Sequence, residues 1–138
     1  MGRPKIGLAL GAGGAKGISQ IGVIKVLLEN GIDIDYIAGA SAGAIIGAHL
    51  ALHENVDSFE QAIVKLTKRD TLKLIDMASP AKAFINGRKA MDFIMKIIGD
   101  KDFSDTKIPL KIVATDMSDG KEMLFDSGSL RDAIRASI

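Results

Sequence analysis

The chain has 138 residues, enough for one domain with a substantial core, and its 47% hydrophobic and 25% charged residues are the balance of an ordinary soluble globular protein. Eighteen basic against seventeen acidic side chains leave a formal charge of +1, spread along the chain, which gives no case for a nucleic-acid partner. The lack of cysteine excludes disulfide and thiolate chemistry, and two histidines without a dense carboxylate cluster give no basis for a metal site or other cofactor.

In chain order, Lys5 to Leu10 reads as a buried strand ending in Gly11-Ala12-Gly13-Gly14. A helix is predicted from about Ala15 to Asn30, with Ile18, Ile21, Val23, Ile24, Val26, Leu27 and Leu28 as a broad apolar face and Gly31 just past its end. Tyr36 to Ala38 is a second strand, and an apolar helix follows to about Glu54. Asp57-Ser58-Phe59-Glu60 reads as a capping box with Asp57 as N-cap, opening a helix to about Arg69. Asp70 to Asn86 is less regular, with Pro80 as a breaker, and Ile75 to Ile85 within it is expected to be an ordinary connecting loop rather than a lid. Arg88 to Ile98 is a further helix, stopped by Gly99. Pro109 precedes a strand from Leu110 to Thr115, which Asp119-Gly120 turns back into Glu122 to Phe125. Ser129 caps a last helix from Leu130 to about Ser137. Strand, helix, strand, helix requires parallel strands joined by right-handed crossovers, so the expected fold is an α/β sheet with helices on both faces.

Between the second strand and its helix stands Gly39-Ala40-Ser41-Ala42-Gly43. G-x-S-x-G at a strand-to-helix turn is a nucleophile elbow: the turn is so tight that the residues flanking the serine at two positions nearly touch, which favours Gly39 and Gly43. The serine is then strained, with its hydroxyl exposed at the carboxyl edge of the sheet, so Ser41 is the candidate nucleophile of acyl transfer. The loop Gly11 to Gly14 falls at the same edge, after the first strand. It fits neither the Rossmann pattern, which needs Gly or Ala where Lys16 stands, nor the P-loop, because Gly17 rather than Ser or Thr follows Lys16. It can instead hold backbone N–H groups against a developing oxyanion, with the following helix and Lys16 adding positive potential. A packing loop and a phosphate cradle remain the alternatives.

The stretch from Tyr36 to Leu52 is uncharged and carries a doubled G-x-x-x-G at Gly39, Gly43 and Gly47, but it is short for a membrane span and lacks basic flanks. Arg3 and Lys5 before Ile6 to Leu10 imitate a signal peptide too briefly, and Ile6 stands where a myristoylation signal wants Ser or Thr, so the expected location is cytoplasmic. A serine hydroxyl also needs a base. His49 and His53 lie about 12 Å and 18 Å along the helix from Ser41 by helical rise, beyond hydrogen-bond reach, and read as helix-face residues.

Leu10-Gly11-Ala12-Gly13-Gly14-Ala15-Lys16-Gly17, Ile21-Gly22-Val23, Gly31 to Asp35 and Ile37 to Ala44, with Ile108-Pro109-Leu110, Ala114-Thr115-Asp116 and Leu130 to Ile138, resemble the patatin-like phospholipases, in particular the bacterial branch related to neuropathy target esterase. The resemblance implies a three-layer α/β/α sandwich around a mainly parallel sheet, and hydrolysis of phospholipid or lysophospholipid acyl esters in peripheral contact with a membrane. Carried over by position, Ser41 is the nucleophile, Ala12, Gly13 and Gly14 form the oxyanion hole, and Gly11, Lys16 and Gly17 support that loop. Ala12 departs from the family's usual glycine, which restricts the loop's φ. The family's base is an Asp in an Asp-Gly-(Gly or Ala) turn. Asp119-Gly120 corresponds by position to a hairpin tip, and Asp116 to a structural strand end, so the catalytic turn is expected after Ile138 and the chain reads as the amino-terminal part of one domain. The alternatives are a non-catalytic lipid-binding or regulatory module on the same fold, and a nucleotide-binding α/β domain.

Overall fold

The computed structural model describes residues 2–65 and 90–138, and its four strands form one sheet in the order β1-β2-β3-β4. Strand β1 is Gly7–Leu10, shorter than expected because the preceding residues are drawn to Asp35. That carboxylate accepts from Arg3 Nη1 at 2.6 Å, from Lys5 Nζ at 2.8 Å and from the Ile6 N–H at 2.8 Å, which hold it well below the usual carboxylate range. A 3-10 turn over Gly14–Ile18 leads into helix α1, Ser19–Glu29, so the long first helix expected from Ala15 is divided. It ends as foreseen at Gly31, whose φ of +70° lets its N–H reach Leu28 O while Ile32 N–H reaches Leu27 O, both at 3.0 Å.

Strand β2, Tyr36–Ala40, lies parallel to β1 with Leu10 beside Gly39, and helix α2, Ala42–His53, follows the turn at Ser41. Helix α3 is Asp57–Val64, and the expected capping box is absent from it: Val56 holds the N-cap position and Asp57 is already helical. Asn55 Oδ1 accepts from the Asp57 N–H, and Glu60 reaches Lys25 Nζ at 2.7 Å on α1 rather than back to its own helix start. A full charge on a neighbouring helix competes better for a carboxylate than one amide does. Residues 90–98 form helix α4, stopped at Gly99 with φ +82°. The continuation of α3 towards Arg69, the irregular segment with Pro80, the stretch Ile75 to Ile85 and the start of α4 at Arg88 lie outside the described residues.

After a short 3-10 turn at Phe103–Asp105 comes β3, Leu110–Thr115, parallel to β2, and then β4, Glu122–Phe125, antiparallel to β3 across the Asp119-Gly120 turn. Helix α5, Leu130–Ser137, is capped by Ser129 Oγ, which accepts from the Asp132 N–H. The architecture is thus α/β around a mainly parallel sheet. Because β1, β2 and β3 advance in one direction across the sheet, right-handed crossovers carry α1 and α2 to the same face. Leu10, Ile37, Leu110 and Ile112 on that face join Ile24, Ile46, Leu50, Leu130 and Ile134 in one buried core. On the other face Tyr36, Lys111 and Leu124 are exposed, so of the three layers implied by the family resemblance the described residues supply two.

Candidate active site

Ser41 sits between β2 and α2 with φ +52° and ψ −118°, a conformation costly for a residue with a side chain. Two close approaches impose it. A Cβ on Gly39 would lie 2.5 Å from Gly43 O and 2.8 Å from Ala44 Cα, and one on Gly43 would overlap Leu10 O, with Gly11 O at 2.8 Å. Gly43 therefore lets the first turn of α2 settle directly on the chain leaving β1. Gly47 continues the same contact line against Ile37 and Leu10 side chains. The doubled G-x-x-x-G packs on the sheet, and among the described residues no helix is long and apolar enough to cross a membrane.

The glycine loop and the elbow leave neighbouring strands side by side, since Leu10 pairs with Gly39. Gly17 in the 3-10 turn is held against Ala42, where an added Cβ would come within 2.6 Å of that side chain. Gln20 Nε2 donates to Gly11 O at 2.9 Å and braces the loop from α1. Ala12, Gly13 and Gly14 are exposed, and no acceptor among the described residues takes their backbone N–H groups, whereas Lys16 and Gly17 donate to Gly13 O. The loop thus presents unpaired donors next to a half-buried serine at the carboxyl edge of a parallel sheet. The exposed Lys16 lies in the turn that follows, whose 3-10 form supplies a shorter array of aligned amides than the α-helix start expected there.

His49 is buried in the core, whereas His53 is exposed at the end of α2. His49 is 1% exposed, its Nε2 is 3.1 Å from Ser58 Oγ, and its ring is 4.5 Å from that of His53. Burial, aided by His53, pushes its pKa down to about 4, and neither ring bonds to Ser41. Asp119 and Asp116 serve their own hairpin. Asp119 pairs with Lys121 Nζ and the Lys121 N–H, Asp116 accepts from the Ser118 hydroxyl and N–H, and these bonds lower both carboxyl pKa values, making each a weaker proton acceptor. Among the described residues no carboxylate hydrogen-bonds to Ser41 and no group of three potential ligands could hold a metal.

Two polar residues at this edge escaped the sequence reading, Gln20 and Ser137. Ser137 Oγ accepts from the Ser41 N–H at 2.8 Å and donates to Val113 O at 2.6 Å. Its only local signal is its place: it continues the buried stripe Leu130, Ala133, Ile134 of α5 at the next helical turn, where an apolar residue is the rule.

A strained serine at a strand-to-helix elbow, beside loop amides that find no acceptor among the described residues, has the geometry of a nucleophile elbow on an α/β sheet. Comparison with known proteins shows the family and the fold. The family model "Patatin-like phospholipase" matches residues 8–138. An uncharacterized NTE family protein of Mycobacterium tuberculosis is 42% identical over 136 residues, covering 98% of this chain and 37% of its own length. Neuropathy target esterase of Drosophila persimilis is 34% identical, covering 96% of this chain and 10% of that protein. Among solved structures, ExoU of the Pseudomonas aeruginosa type III secretion system, crystallised with SpcU, superposes with a TM-score of 0.66 at 21% identity, over 97% of this chain and 38% of that one, a likeness of fold. The chain belongs to the patatin-like phospholipase family, and it spans little more than a third of the length of the mycobacterial relatives it matches. Membership leaves the nucleotide-binding alternative without support.

Proposed function

We propose that the protein is a serine acyl hydrolase of lipid esters, of the phospholipase A or lysophospholipase type, acting in peripheral contact with a membrane. The observation that carries this reading is the φ of +52° at Ser41, an unfavourable backbone state held beside the glycine loop. Ser41 Oγ attacks the ester carbonyl carbon while its proton passes to an aspartate. The amides of Ala12, Gly13 and Gly14 hold the carbonyl oxygen as it gains charge, and one such donor is worth on the order of 10²–10³ in rate. Collapse of the tetrahedral species breaks the ester C–O bond, the aspartate returns the proton to the leaving alcohol, and water then releases the acyl group from Ser41. Neither metal nor other cofactor enters these steps.

The engagement of Asp116 and Asp119 within their hairpin supports a base supplied by an Asp-Gly turn beyond Ile138. Accordingly, the 138-residue chain hydrolyses short-chain nitrophenyl esters poorly or not at all, while a protein extended through that turn hydrolyses them. Equal activity of the two lengths, abolished by Asp119→Ala, refutes this assignment of the base. Covalent labelling of the longer protein by a fluorophosphonate, lost in Ser41→Ala with folding intact, tests the nucleophile. A longer protein that resists labelling favours the non-catalytic lipid-binding reading.

A further inference from the structure

We propose that the Ser137 hydroxyl is a positioning device for the nucleophile, taking the place of the last backbone rung between β2 and β3. The inference rests on the hydrolase reading above and adds a residue to it. The rungs of a parallel pair recur every second residue. Ile37 N–H donates to Pro109 O at 2.9 Å, and the register pairs Ile37 with Leu110 and Gly39 with Ile112. The same pattern continued to the end of β2 would bond the Ser41 N–H to Val113 O. These are the two atoms that Ser137 Oγ joins, accepting from one at 2.8 Å and donating to the other at 2.6 Å.

A hydroxyl inserted in a rung lets the strands part while leaving no backbone group unpaired. The parting falls at the carboxyl edge, where β2 must turn into α2 at Ser41 and an open α/β sheet forms its ligand crevice. The amide of the strained residue is thereby tied to β3 and α5 at once. Its N–H is also fully used, so it is withheld from a substrate oxygen, and the oxyanion donors fall to the loop at Ala12 to Gly14. Ser137 can do this because α5 runs off its own N-cap at Ser129 with Leu130, Ala133 and Ile134 locked in the core, which fixes the direction of its last turn.

The test compares wild type, Ser137→Ala, Ser137→Thr and Ser137→Cys in the full-length protein, each checked for folding by circular dichroism. Ser137→Ala is expected to lower kcat on a nitrophenyl ester about 10- to 100-fold, the scale of a misplaced reacting group, with KM changed less than about twofold. Ser137→Thr, which keeps the hydroxyl, restores kcat to within about threefold. Should Ser137→Ala not fold, Ser137→Cys, with its weaker donor and acceptor, must lower kcat in the same way. Wild-type kcat in a folded Ser137→Ala, or a change confined to KM, overturns the proposal. Hydrogen exchange at the Ser41 amide supplies a readout independent of turnover: it is expected to quicken in Ser137→Ala while the amide of Ile46 stays protected. If even the wild type fails to react with ester or fluorophosphonate, the hydrolase reading falls. Exchange at Ser41 then decides Ser137 by itself, unchanged exchange overturning its role and local quickening supporting it.

Discussion

Gly43→Ala is the sharpest perturbation of the elbow, because the added methyl meets backbone that cannot rotate away. Its Cβ would overlap Leu10 O and lie 2.5 Å from Leu10 C and 2.8 Å from Gly11 O. Restoring ordinary contact requires α2 to lift from β1 by about 1 Å, and a gap of that size forfeits roughly a quarter to a half of the attraction at each contact it opens. The cost is expected at about 3 kcal/mol or more, at or above the upper end for overpacking. Two neighbours serve as internal standards. Gly47→Ala meets only side-chain ends, Ile37 Cγ2 at 3.0 Å and Leu10 Cδ1 at 3.4 Å, so the gain in helix propensity of about 1 kcal/mol largely offsets the crowding. Gly22→Ala, in α1 with nothing within 4 Å of the new methyl, is expected to stabilise by about 0.5–1 kcal/mol. Urea denaturation followed by circular dichroism ranks the three. A Gly43→Ala protein as stable as Gly47→Ala would show that the helix start is not seated on β1, and the geometric basis of the elbow would be lost.

Two further outcomes follow from the same structure. Ser41→Gly keeps the turn but removes the penalty of a side chain at φ +52°, so after the added freedom of glycine in the unfolded chain it is expected to gain about 1 kcal/mol in urea while losing all reactivity; a loss of stability instead contradicts the stored strain. His49 has its pKa lowered from 6.5 to about 4 by burial, so between those values the unfolded chain binds a proton that the fold does not. Stability present above pH 6.5 is therefore lost as pH falls towards 4, by about 2 kcal/mol between pH 7 and 5. His49→Gln, denatured in urea at both pH values, should lack that part of the slope, and an unaltered slope means another group titrates.

What was legible in the sequence is what short-range chemistry dictates. The bounds of β3, the end of α1 at Gly31, the cap at Ser129 and the turn at Ser41 each follow from residues within a few positions of one another. The apparent capping box at Asp57 misled because Glu60 had a partner on another helix, Lys25, which no local pattern discloses. The family's motifs carried the pairing of glycine loop and elbow, and adjacent parallel strands bring the two together.

Tertiary structure alone decided the rest. Strands that advance in one direction place α1 and α2 on a single face, a consequence of strand order that alternating hydrophobicity cannot express. His49, already out of reach of Ser41 by helical rise, became a buried, neutral ring through the packing of α3 across α2. Ser137 met the Ser41 amide across 96 positions of chain. A hydroxyl carries no record of its acceptor in its own neighbourhood; the partner is chosen only when the sheet and its last helix close on each other.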